Sequence, residues 1–404
     1  METFDLAGWL SEQDPAVRVV YTAAREGRLE RVPAGLLTPD NMLFCDPDGE
    51  SAFLWAALNK QLDLVPESLI TAKNLKMENV NGVSNFKTLL DFQNPEQIPK
   101  CILYSRSFLT EKDSTGGTAL HALAINGFLS VLPDGCIDDS SYLICDGGGV
   151  SVLHAAINGG CVGVIPLRLL TLKNITARSK NGNAAIHSLA NAGNFDPVRP
   201  VLTRKSLLMR GCGGYTPLHC AARSKHLDQL LDWVIPADFL VRDAAGITPL
   251  HLAIGAGDAR LLPKELLGDS LLIPSVNGVS PLYLAAAGGH LSTLPCDICT
   301  YSNLITTRDN LGNNAMHGAA LGAALMEFPR ELITVQTMLE KNLAGKTVLD
   351  CACNEDKSQV PLGLDFPEEF RDKLGERWWG KNQQILATKG TLQIPDAGPE
   401  IDLF

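Results

Sequence analysis

Eight histidines and eleven cysteines are the side chains of this 404-residue chain best suited to act as general bases, nucleophiles or metal ligands. Their spacing argues against all three. His121, His154, His187, His219, His251 and His317 recur every 32 to 34 residues once Tyr283 is counted in the series, and only His226 and His290 stand outside it. A nucleophile needs a base within hydrogen-bond reach and a third group to orient that base. The sequence holds no Gly-x-Ser-x-Gly, Walker-type phosphate loop, His-Glu-x-x-His or dinucleotide fingerprint. The chain is therefore expected not to be an enzyme, with no catalytic residue, no metal and no cofactor.

One residue type returning at a fixed interval is placed by a returning structural element. The element is spelled best by GYTPLHCAA from Gly214 to Ala222 and GITPLHLAI from Gly246 to Ile254. Taking the histidine position as the marker, the series runs Tyr21, Leu54, Lys87, His121, His154, His187, His219, His251, Tyr283, His317 and Asp350. Within each copy, Thr216 or Thr248 is suited to cap a helix through its hydroxyl, and Pro217 or Pro249 to take the first helical position, where a missing N–H costs nothing. The alanine pair after it lets neighbouring helices approach closely. About twelve residues after the marker, Pro33, Pro66, Pro99, Pro133, Pro166, Pro263, Pro295 and Pro329 read as the start of a second helix, displaced in the copy that carries Leu231 and Pro236.

A period near 33 with the spelling T-P-L-H-x-A resembles the ankyrin-repeat family, over about Pro15 to Pro361 and about eleven repeats. That resemblance implies an all-α solenoid of stacked helix-turn-helix units joined by short turn or hairpin loops. It also implies that the six serial histidines bond local backbone and a threonine hydroxyl instead of a substrate. The expected organisation is a lead-in over 1–15, the array over 16–361, a capping helix region over 362–390 and an extended or disordered acidic tail over 391–404. The copies at Gly49 to Ala57 and Gly82 to Leu90 depart from the pattern, with Leu54 and Lys87 at the marker.

Cysteine usage fits reduced, scattered thiols, because an odd number at irregular intervals makes a poor disulfide framework. Cys296-Asp-Ile-Cys299 has a zinc-type spacing, yet it falls where other copies place ordinary second-helix residues, and a zinc ion needs four ligands. The first fifteen residues lack the early positive charge and long apolar run of a secretory signal, and no stretch of 18 apolar residues occurs. No membrane association and a cytoplasmic location are expected.

Charge points to binding. Between Ser151 and Lys225 ten basic side chains face the single acid Asp196, whereas the whole chain carries a net charge of -11. Arg178, Arg210, Arg242 and Arg308 each lie nine residues before the marker, on the loop that the resemblance implies is used for partners. With Lys180, Tyr215 and Arg223 they form the expected partner-binding set, suited to carboxylates on another protein. A non-enzymatic scaffold or adaptor for protein-protein interaction is the expected function. Reversing Arg178, Arg210 and Arg242 to glutamate is expected to weaken capture with little change in melting temperature. Nucleic acid is the weaker alternative, since the basic stretch offers only Phe195 and Tyr215 for stacking. The last five residues, Glu400, Ile401, Asp402, Leu403 and Phe404, resemble the short peptide with which bacterial replication proteins bind the sliding clamp, apart from Glu400 in place of the usual glutamine. An exported, host-directed effector is a further alternative. Trp378 and Trp379 are suited either to cover the last repeat or to anchor a partner.

Overall fold

Most copies of the repeat open where the sequence puts a small polar side chain, the copy that starts at Ala184 being an exception. In the computed structural model, which describes residues 6–92, 95, 98–133 and 135–390, Thr216 and Thr248 accept the N–H groups of His219 and His251 through their hydroxyls. Pro217 and Pro249 come next as the first helical residues. Ser51, Thr118, Ser151, Ser280, Asn314 and Thr347 cap in the same way. Each helix is only about two turns long and would not hold alone in water. Packing supplies what length does not.

The chain divides into two compact units, Met1–Ser206 and Leu207–Phe404. The first contains α1 (Pro15–Arg25), α2 (Ala52–Leu58), α3 (Asn85–Phe92), α4 (Ala119–Ile125), α5 (Val152–Asn158) and α6 (Ala185–Ala192). Each packs on the next in chain order, α3 against α4 least closely. The second contains α7 (Pro217–Arg223), α8 (Pro249–Gly255), α9 (Pro281–Ala287), α10 (Ala315–Leu321) and α11 (Val348–Glu355), stacked in the same sequence. The alanine pairs do what their size allows: Ala56, Ala57, Ala221, Ala222, Ala319 and Ala320 have no exposed surface. The fold is an all-α repeat solenoid, with no strand among the described residues.

The second helix differs from the expectation. Pro33, Pro66, Pro166, Pro263 and Pro329 sit in the polyproline region and lead into single 3₁₀ turns of three residues. The reason lies a few residues downstream. Thr38, Thr71 and Thr171 cap a fresh α-turn through their hydroxyls, which accept from Asn41, Asn74 and Asn174. The amides of those asparagines then donate to Leu36, Leu69 and Leu169, five residues back. A cap in mid-segment splits what would be one helix into two turns. In the copy holding Leu231 and Pro236 the 3₁₀ turns fall at Leu231–Trp233 and Pro236–Leu240.

The connecting loops are hairpin-like and stacked. Asp46, Asp146, Asp243 and Asp309 each accept two N–H groups of their own loop through Oδ1. A backbone bond then joins one loop to the next, as from Gly147 to Thr115 and Lys180 to Gly148 in the first unit, and from Val276 to Ala245 and Leu343 to Leu311 in the second. After α11 the chain turns back through α12 (Glu376–Gly390). Trp379 is buried, and Trp378 donates its indole N–H to Val360 at 2.9 Å and meets Phe366 edge-on.

Candidate functional site

Five of the six serial histidines are structural pins, and the sixth, His187, bonds the backbone of Ala184 through Nδ1, its Nε2 reaching no carbonyl among the described residues. His219 Nε2 lies 3.2 Å from the carbonyl of Ile247, and His251 Nε2 stands 3.2 Å from that of Val279, each in the next loop along the chain. A carbonyl only accepts, so Nε2 carries the hydrogen and Nδ1 is left to accept from the hydroxyls of Thr216 and Thr248, at 2.7 and 2.8 Å. Every ring position is used. Burial pushes both imidazoles below their ordinary range, His251 to about 4. His121 and His154 repeat the arrangement with Thr118 and Val150 and with Ser151 and Ala177, whereas His317 reaches Lys346 through Nε2 but has the amide oxygen of Asn314 beside Nδ1. Tyr21 stands in for histidine by donating to Asp46 while accepting from Trp55. Asp350 accepts from the N–H and hydroxyl of Thr347.

The arginines of the expected binding set hold the loops together. Arg210 Nη1 donates to the carbonyl of Arg242 at 2.8 Å, Arg242 Nη1 to that of Pro274 at 2.9 Å, and Arg308 Nη1 to Lys341 at 3.1 Å. Arg308 also pairs with Glu340. In the first unit Arg178 donates to Gly182 within its own loop, and Lys180 is exposed beside it. A carbonyl held in this way loses its donor on mutation. The expectation that reversal to glutamate leaves the melting temperature unchanged is therefore corrected for Arg210 and Arg242.

Arg223 and Tyr215, both of the expected binding set, lie side by side. The guanidinium lies 5.7 Å from the ring centroid, within cation–π range, and the same ring leans on His219 at 5.2 Å. Burial raises the Tyr215 phenol, with Asp243 adding to the rise and Arg223 opposing it. Arg210, Tyr215, Arg223 and Arg242 are thus presented by the loops and inner helices of the second unit. Arg178 and Lys180 belong to the first.

The segment that carries Tyr215, Arg223 and Arg242 is the part of the chain that a family model matches. The model of the ankyrin repeat family matches residues 213–243, from the loop before Tyr215, through α7 and its capped His219, to Asp243. That segment is an ankyrin repeat. No curated protein matches the chain. Ankyrin repeats are in general protein-binding modules. No helix among the described residues is long and apolar enough to cross a membrane.

Two recurring sets are less visible in the sequence. The loop aspartates lie eight residues before the marker at Asp46, Asp113, Asp146, Asp243 and Asp309, a period as regular as the histidine one. The Thr-x-x-Asn pairs at Thr38, Thr71 and Thr171 recur at nearly the same interval, with Thr300 and Asn303 as a further copy. All eleven cysteines are free thiols, and no group of three or more possible metal ligands is gathered among the described residues. The expectations for Glu400, Ile401, Asp402, Leu403 and Phe404, and for the tail over 391–404, lie outside the described residues.

Proposed function

We propose that this protein is a non-enzymatic scaffold or adaptor of the cytoplasm that holds another protein, its array spanning 16–361 and closed by the segment 362–390. The partner-binding set is Arg178, Lys180, Arg210, Tyr215, Arg223, Arg242 and Arg308, presented by loops and inner helices to acidic groups on the partner. The observation that carries the reading is the stacking of loops within each unit, where backbone bonds such as Lys180 to Gly148 and Val276 to Ala245 tie neighbours and, in the second unit, guanidinium groups add to them. Cationic side chains on a framework ordered before encounter lose little entropy on association. Arginine forks suit carboxylates. The tail peptide Glu400 to Phe404 is kept as a second contact point, for a sliding clamp.

The experiment is capture by the immobilised full chain, with nuclease treatment and then identification of the retained protein. Lys180→Glu and Arg223→Glu together are expected to weaken retention of one protein at least tenfold, with nuclease without effect. Retention that nuclease abolishes and that falls steeply with salt favours the nucleic-acid reading instead. Undiminished capture by the double variant removes the basic loops from the site.

A further inference from the structure

The third copy of the repeat leaves a gap that its neighbours close. In most copies the second and third residues after the marker include alanine, whereas α3 has Leu89 and Leu90 there, both buried. Bulk at those positions holds α4 off. The marker itself is Lys87, which is exposed and, among the described residues, has no side-chain hydrogen bond or ion pair. His121, His219 and His251 each reach the carbonyl four residues before the next marker. The corresponding carbonyl after Lys87 is that of Gly117, which among the described residues receives only the Asp113 N–H of its own loop. Nothing draws that loop inward.

The result is a cleft of about 460 Å³ in the first unit, over α3 and α4. Phe86 and Phe108 meet edge-on at 5.1 Å beneath it, and Ile125, about half exposed, supplies apolar surface at its edge. The other charged groups of the wall are engaged. Lys76 pairs with Glu111 and lies 5.3 Å over the Phe108 ring, Lys112 donates to the carbonyl of Cys145 at 2.7 Å, and Glu78 accepts from Ser114. Asp113 and Asp146 are spent on their own loops. Lys87 and Lys112 are the lysines of the wall with no carboxylate paired to them among the described residues, and Lys87 is the one without a hydrogen bond as well.

We propose that this cleft seats an extended peptide segment of a partner protein, with an acidic side chain on Lys87 and a neighbouring aliphatic or aromatic side chain against Ile125 and the Phe86–Phe108 pair. The inference rests on the reading of the chain as a protein-binding module and adds a second place of binding, apart from the basic loops, with its own chemistry. An apolar surface beside Lys87, a lysine with no partner among the described residues, fits a ligand of the same two parts. A carboxylate alone would gain little from so exposed a lysine. The adjoining apolar contact supplies the rest.

The test uses random heptapeptides displayed on phage, selected on the full chain and measured as synthetic fluorescent peptides. The expected winners pair Asp or Glu with Phe, Leu or Ile one or two residues away. Lys87→Glu should weaken them about tenfold or more, Lys87→Arg should keep binding, and Lys264→Glu, at an exposed lysine outside the cleft and outside the basic loops, should leave it unchanged. Because Lys87 is exposed, Lys87→Glu should melt like the parent, which thermal unfolding checks. Enriched peptides lacking an acid, or binding equally well to Lys87→Glu, overturn the cleft while leaving the binding-module reading intact. If no peptide is enriched, the cleft is also overturned, and the broader reading falls only if capture of a folded protein fails as well.

Discussion

Arg242 donates to the carbonyl of Pro274, and Pro274 occupies, one repeat later, the position of Arg242 itself. Arg210 does the same to Arg242. A side chain that binds its own counterpart makes the row self-propagating until a residue without a donor interrupts it, as Pro274 does. Arg242→Ala should lower stability by about 1 kcal/mol, the worth of one exposed hydrogen bond. In a unit of this size that corresponds to a fall of about 2–4 °C in melting temperature. Arg242→Glu should fall further, since it sets a second carboxylate beside Asp243. Calorimetry of the three proteins at one pH checks both.

The pinned histidines make stability depend on pH in a stated direction. An unfolded imidazole titrates near 6.5, while burial holds His251 down to about 4. Between those values the unfolded chain binds more protons than the folded one. Stability is then complete above about 6.5, declines as pH falls through that window, and levels off below about 4. The melting temperature should drop steadily from pH 7 to pH 4.5. His251→Gln, which does not titrate, should shrink the slope over that range, and an unchanged slope would mean that other groups set it.

Gly322 and Ala323 are adjacent and should respond with opposite signs. A Cβ on Gly322 would stand 1.9 Å from the carbonyl oxygen of Ala287, so α9 and α10 must part to admit it. Gly322→Ala should cost about 1–3 kcal/mol, as overpacking does. Ala323 has a φ of 54°, a left-handed conformation that other repeats assign to glycines such as Gly127, Gly257 and Gly289. Ala323→Gly should relieve strain and stabilise by up to about 1 kcal/mol. Chemical denaturation of each single variant measures both effects.

The helix starts and the solenoid are legible in the sequence because they are local: Thr216, Pro217 and the alanine pair act within one turn of where they stand. The second helix is not, because proline marks a beginning without fixing the conformation after it, and the cap at Thr71 a few residues later outweighs apolar patterning. The row of arginines is visible by spacing, but its bonds to carbonyls 32 and 33 residues away are not. Lys87 stands out as a departure from the repeat, yet its effect needs the missing pin on Gly117 and the bulk of Leu89 and Leu90 together.

Asn74 offers the sharpest check on why the second helix breaks. Its amide donates to Leu69 at 2.7 Å, its own N–H is held by the Thr71 hydroxyl, and its carbonyl accepts from Asn85 of α3 at 2.9 Å. The side chain is buried, so the Leu69 carbonyl has no water to replace a lost donor. Asn74→Ala should therefore cost about 1–3 kcal/mol, the penalty for a buried polar group left unmade. Asn74→Asp keeps the shape but turns a donor into an acceptor facing another acceptor, and should cost more at pH 7 than near pH 4, where the added acid regains a proton. If Asp is tolerated as well as Asn at both pH values, the amide is not what splits the segment.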